Sequence, residues 1–403
     1  MTQRISVDSS SALVDLRSDT VTHPTAAMYE RMRTAPIGDD GLDGDPSVRA
    51  LEAHVAARLG KEAGLFVPSC TMANLLAVLA QTQRNEQVVL ESAAHMYTSE
   101  RGAATFTGLF YQGVPGTDGA MDLNRLEDAM QSGGHKLKTA LVAMETSHNN
   151  AGGAVLPLDH MQAVHGMAQG CGVPVHLDGA RLFNAAVALG VAPAEITRHA
   201  DTVSLCLSKG LSAPVGAVLT GTRPVMARAR MLRRMLGGTQ RQAGIMAAAG
   251  LEGVQTMGDR LVEDHARARR LSDGLNRLDP SLSATVPQTN IVQVETADTG
   301  MTNAHWVTAL ESAGLLTRPW GRTRLRCVTH RHIDDEDIDR AVEAFKRCWQ
   351  AAESAVFGGG RCDNAGMSAT HLSKKDYLCA LAVVVIWGLN FVVMKIGLKA
   401  SRP

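Results

Sequence analysis

Residues Asp201 to Gly216 read DTVSLCLSKGLSAPVG, and the fold turns on how this stretch is read. Val203, Leu205 and Leu207 alternate with small or polar residues, the pattern of a short strand with one buried face. The strand runs into Ser208-Lys209-Gly210, and Lys209 is the only lysine between Lys138 and Lys346. An amine at the end of an apolar strand loses solvation, which favours its neutral, nucleophilic form. That is the form a Schiff-base lysine needs. A strand-end lysine whose amine snorkels to solvent is the competing reading.

Outward from this stretch, strand-like runs at 63–67, 88–90, 110–113, 139–144, 174–177 and 217–220 are interleaved with helical runs at 71–83, 123–131, 158–169 and 181–189. Alternation of this kind predicts an α/β fold with a mostly parallel sheet flanked by helices. Ligands of such sheets sit at the carboxyl ends of the strands. Beyond about residue 260 the pattern changes. Strand-like 290–295 and 325–328, with helical 305–313 and 334–349, predict a smaller C-terminal α+β domain. The expected organisation is a flexible N-terminus at 1–14, a large domain at 15–260, a small domain at 261–350, a linker at 351–375 and an apolar helix at 376–403.

Forty acidic residues balance forty basic ones, which gives no footprint for a nucleic-acid partner. Seven widely spaced cysteines without a C-x-x-C pair argue against a disulfide framework or a zinc site, and for a reducing compartment. No metal is expected. The N-terminus lacks an apolar signal core, so a cytoplasmic location is expected. Leu378–Met394 is nearly all apolar and, at about 17 residues, sits at the lower limit for a membrane span. The text at Ile386–Leu398 is similar to the first helix of drug/metabolite-type transporters. A single-span anchor, a fused or misplaced gene end, and a helix packing on another subunit all fit it.

Four groups of residues carry candidate chemistry. Asp178, in His176-Leu177-Asp178-Gly179-Ala180-Arg181, ends one strand-like run, and Lys209 ends the next, 31 residues later. One helix and one strand fit between them, so both fall on the same sheet edge. Asp178 reads either as a helix cap or as the acid for a pyridinium nitrogen, which with a Schiff-base lysine is what pyridoxal phosphate requires. Ser69-Cys70-Thr71 lie between a strand and a helix, where hydroxyls and free backbone N–H groups cap the helix or hold a phosphate. His95 and His148 each follow a strand and are ordinary structural residues, ring-stacking groups or proton acceptors. Arg181 and Arg326 are surface charges or carboxylate clamps.

Together these motifs resemble the low-specificity L-threonine aldolases, in the β-eliminating lyase branch of fold-type I pyridoxal-phosphate enzymes. The text that carries the resemblance is Asp15–Thr22, Gly38–Pro46, Leu65–Asn74, Ala94–Tyr97, His176–Gly190, Leu207–Gly216, Arg233–Gly244 and Arg326–His330, in order over roughly residues 15–350. The resemblance implies pyridoxal 5′-phosphate on Lys209, with Asp178 at the pyridine nitrogen and His95 stacked on the ring. Ser69, Cys70 and Thr71 would form the phosphate cup. Ser18, Arg181 and Arg326 would hold the substrate carboxylate, and His148 would lie near the substrate hydroxyl. Arg241 would reach a neighbouring subunit's phosphate, which implies a homodimer or homotetramer. The implied reaction is aldol cleavage of L-threonine or L-allo-threonine to glycine and acetaldehyde. The proton acceptor would be His148, or a water near it or His95. Neighbouring readings are β-elimination, phenylserine cleavage, racemisation, or a membrane-tethered protein that only binds ligand. The sequence departs from the family pattern at Cys70, where glycine is usual, at Arg234 for lysine, at Thr239 for glycine, and at Leu42, where a tyrosine is common.

Overall fold

The computed structural model describes residues 13–100, 102–131 and 135–357. A seven-stranded sheet is built from β1 (Ala63–Val67), β2 (Gln87–Glu91), β3 (Phe110–Val114), β4 (Thr139–Glu145), β5 (Val175–Gly179), β6 (Thr202–Cys206) and β7 (Ala217–Gly221). Their spatial order is β1-β7-β6-β5-β4-β2-β3. The five strands from β2 to β6 pair in parallel. β7 runs antiparallel to both its neighbours. The cause is chain length. Only residues 207–216 separate β6 from β7, too few for the crossover of a dozen or more residues that a parallel return requires.

The strand leading to Lys209 is buried on both faces, not on one. Thr202 and Ser204 are fully buried, like Val203. Helices cover both sides of a parallel sheet, so alternation of polarity along such a strand does not mark a wet face. Thr202 and Ser204 instead face buried polar partners, described below.

Helix Cys70–Gln81 follows β1. Ser69 caps it, its side chain accepting from Met72 N at 3.2 Å. Ala73, Leu76, Ala77 and Ala80 pack on Leu65, Val67, Ala217 and Leu219. Cys70 takes the first helical position, and its φ is not positive. The glycine usual here is therefore not needed for backbone freedom.

A second sheet is fully antiparallel: β8 (Ser283–Ala284), β9 (Ile291–Glu295), β10 (Arg318–Trp320) and β11 (Arg324–Val328), in the order β8-β9-β11-β10. Its apolar core, with Leu271, Val292, Trp306, Leu325 and Phe345, also takes in Val14 and Leu16. Val14–Asp15 pairs in parallel with Leu315–Leu316. The segment from Val14 is thus anchored on this core, and Ser18 and Asp19 follow within a turn. One compact unit extends to Ala352. Among the described residues, no helix is long and apolar enough to cross a membrane. The apolar segment 378–394 and the transporter-like text within it lie outside the described residues.

Candidate active site

The carboxyl edge of β4, β5 and β6 opens into a cavity of about 430 Å³. Register explains who meets there. Glu145 pairs with Asp178, and Asp178 with Ser204, so adjacent strand ends bring their side chains to one level. Lys209 enters from the loop after β6. Its backbone carbonyl accepts from Thr22 Oγ1 at 3.0 Å and Ser212 N at 2.8 Å. Gly216 ends that loop with φ +98°, and a Cβ there would lie 2.5 Å from Phe66, so no other residue fits this turn without strain. The Lys209 amine has no hydrogen-bond or ion-pair partner among the described residues, and it lines the cavity.

Of the residues expected at the site, Ser18, Cys70, Thr71, His95, Asp178, Arg181, Lys209 and Arg326 line this one cavity. Ser69 sits behind the wall as the helix cap. Two others lie elsewhere. His148 is fully buried and does not reach the cavity. Ala151 N donates to its Nδ1 at 3.2 Å, so its proton sits on Nε2, which faces Glu91 Oε2 at 3.1 Å. Both ring nitrogens have protein partners, Glu91 and the Ala151 backbone N–H. Arg241 is exposed, 3.5 Å from Asp39, and no part of the cavity wall.

Arg181 and Arg326 form one wall. Arg181 grips buried Asp19 with Nε and Nη2, both at 2.7 Å. Burial pushes the Asp19 carboxyl up, but the charge and hydrogen bonds of Arg181, helped by Lys209 and Arg326, hold it well below the usual carboxylate range. Asn149 Oδ1 accepts from Arg181 Nη1 at 3.3 Å and from Arg326 Nη1 at 2.9 Å. One amide oxygen thus lies between the two guanidiniums. Arg326 stacks on Trp320, 4.3 Å from the ring centroid, and its buried Nε has no hydrogen-bond partner. Burial first, and Arg181 second, bring Arg326 down to about 10, where it keeps its charge at neutral pH.

His95 begins a short helix, with its N–H donating to Glu145 Oε2 at 2.6 Å and its Nδ1 2.9 Å from Glu100 Oε1. The bond to Glu100 raises the imidazole above its ordinary value against the opposing effect of burial. Its Nε2 is left for a ligand. His95, Glu100 and Asp178 bring one metal-ligand type of atom each within 4.8 Å of one another. The internal pairing of His95 with Glu100 accounts for that cluster.

Sequence reasoning missed Asp19, Glu100, Glu145, Asn149, Arg318 and Trp320, all in or against the cavity. Asp19 stands beside Ser18 in the quoted DLRSDT text, and Glu145 and Asn149 flank His148, so proximity to named residues was an available signal. Arg318 and Trp320 carried none, because Pro319 between them masks the strand.

The donor set fits pyridoxal phosphate. It offers a lone amine, a carboxylate at the neighbouring strand end, and the N-terminus of a twelve-residue helix opening on the cavity beside Thr71. Fold and site together define a fold-type I pyridoxal-phosphate enzyme. The model of the family "Beta-eliminating lyase" matches residues 15–299. Low-specificity L-threonine aldolase 1 of Arabidopsis thaliana is 38% identical over 342 residues, which is 83% of this chain and 96% of that one. The low specificity L-threonine aldolase of Escherichia coli strain K12 is 41% identical over 267 residues, 65% of this chain and 79% of that one. A solved Leishmania major threonine aldolase superposes with a TM-score of 0.72 at 18% identity, covering 83% and 99% of the two chains. The chain belongs to the beta-eliminating lyase family.

Proposed function

We propose that this cavity binds pyridoxal 5′-phosphate and cleaves L-threonine or L-allo-threonine to glycine and acetaldehyde. The observation that carries the proposal is the unpartnered Lys209 amine sharing one cavity with Asp178 and the arginine pair. The similar Arabidopsis thaliana and Escherichia coli proteins are named low-specificity threonine aldolases, which supports the same reaction.

When bound, the cofactor supplies an electron sink for the pair released as the Cα–Cβ bond breaks. Lys209 provides its attachment point. Asp178 would serve the pyridine nitrogen, and His95 would stack on the ring. The helix N-terminus at Cys70, with Thr71, would hold the phosphate while Ser69 keeps that turn capped. Arg181 and Arg326, with Ser18 beside them, grip the α-carboxylate at the position Asn149 Oδ1 marks. Two-point capture restricts rotation of the substrate, and so decides which bond at Cα is presented for cleavage. His95 Nε2 accepts the β-hydroxyl proton as the aldehyde leaves. His148 acts through others: it holds Glu91 and lies 3.9 Å from Glu145, whose carboxylate positions His95 and Asn149. A proton returned to Cα completes glycine. Arg241, exposed at the surface, serves the phosphate of a second copy in a homodimer or homotetramer.

Lys209→Ala tests the reading. Loss of the bound cofactor's visible absorbance together with loss of acetaldehyde release is expected, and unchanged absorbance and cleavage would refute it. Assaying pyruvate and ammonia alongside acetaldehyde separates aldol cleavage from β-elimination.

A further inference from the structure

Asn74 is a buried side chain in the cavity wall whose hydrogen-bonding capacity is entirely used. It is 1% exposed. Its Nδ2 donates to Asp178 Oδ2 at 2.9 Å and to Glu100 Oε2 at 3.2 Å. Its Oδ1 accepts from Ser204 Oγ at 2.8 Å and lies 3.1 Å from His176 Nε2. Two donors and two acceptor positions are all a carboxamide has. The reverse orientation is excluded, because it would set the amide oxygen against two carboxylates. His176 must therefore carry its proton on Nε2, with Nδ1 accepting from Thr202 Oγ1 at 3.0 Å. Burial, only partly offset by Asp178, brings His176 down to about 4, so the ring is neutral and the arrangement persists at neutral pH.

We infer that Asn74, locked by Ser204 and His176, is the positioning residue that aims the Asp178 carboxylate at the cofactor. Asp178 Oδ1 is tied by Ala180 N at 3.1 Å, so Asn74 supplies the second of two fixed points on that carboxylate. Two neutral donors hold it in place without cancelling its charge. The polar residues Thr202 and Ser204 inside an otherwise apolar strand thereby gain a role: they and His176 dictate which end of one amide faces Asp178. This inference rests on the reading of Asp178 as the pyridine partner.

The test compares holoenzyme variants by the pH titration of the bound cofactor's visible absorbance and by the dissociation constant for pyridoxal phosphate. Asn74→Asp keeps shape but turns an oxygen towards Asp178. It is expected to weaken cofactor binding by about tenfold or more and to displace the absorbance titration in the same sense as Asp178→Asn. His176→Phe, which removes one lock, is expected to move both readouts part of the way. His176→Gln, which retains a donor, should return towards the parent. If Asp178→Asn changes both readouts while Asn74→Asp matches the parent, the inference is overturned. If Asp178→Asn itself matches the parent, the underlying reading of Asp178 fails instead. Should Asn74→Asp not fold, the histidine pair decides: equal effects of His176→Phe and His176→Gln would overturn the inference, and unequal effects in the stated order would support it.

Discussion

Arg181 and Asp19 meet fork to fork in the interior, with two hydrogen bonds of 2.7 Å and side chains 4% and 0% exposed. The pair joins the segment after Val14 to the end of β5, 162 residues away. Removing one member strands the other as a buried charge. Asp19→Ala is expected to lower unfolding free energy by about 3–5 kcal/mol, read from urea denaturation. A loss below about 1 kcal/mol would mean that water reaches Arg181.

Arg326 offers a cleaner view of the clamp, since its partners are an amide oxygen, a backbone carbonyl and the Trp320 ring. Lysine keeps the charge but loses the planar fork and the stacking. Arg326→Lys is expected to raise KM for threonine by roughly tenfold or more while the melting temperature moves little. An unchanged KM would remove Arg326 from the carboxylate site.

His95 sets an expectation for pH. A proton acceptor works only when neutral, and the bond to Glu100 raises the pH at which His95 loses its proton above the ordinary 6.5. The acid limb of kcat/KM should therefore sit above pH 6.5, with activity rising as pH rises through it. In Glu100→Gln the limb should move down towards 6.5. A limb that stays put would point to another acceptor.

Acid stability has the opposite origin. Burial brings both His176 and His265 down to about 4 in the folded chain, against 6.5 when unfolded. The unfolded chain thus takes up these protons first, and stability is full above pH 6.5 and falls as pH drops towards 4. Melting temperature should decline across that window, and less steeply in His265→Gln. Equal slopes would show that other groups govern the decline.

The parallel run of the strands as far as β6 was legible in the sequence, because each parallel crossover needs a helix and the helical runs were visible. The reversal at β7 follows from a loop length that is countable in advance, yet an apolar run of five residues carries no direction. That Lys209, Asp178, Arg181 and Arg326 meet in one cavity was legible because their text is local and ordered. The surroundings of His148 were not legible: a histidine after a strand looks the same whatever it faces, and only packing shows that Glu91 and Ala151 occupy both its nitrogens. Thr202 and Ser204 were legible as residues but not as partners, since their contacts lie in helix Cys70–Gln81 and in β5, more than twenty residues away.

The reversed strand β7 has a consequence for the phosphate end of the site. β1 is antiparallel to β7, and β7 to β6, so the two inversions cancel and β1 points the same way as β6. The outermost strand therefore delivers Ser69, Cys70 and Thr71 to the rim that Lys209 reaches from two places away in the sheet. Had the loop after Lys209 been long enough to house a helix, β7 would have run forward. A β1 still paired antiparallel to it would have carried its helix to the opposite rim. The brevity of ten residues is what brings Lys209 and the helix N-terminus at Cys70 to a single rim.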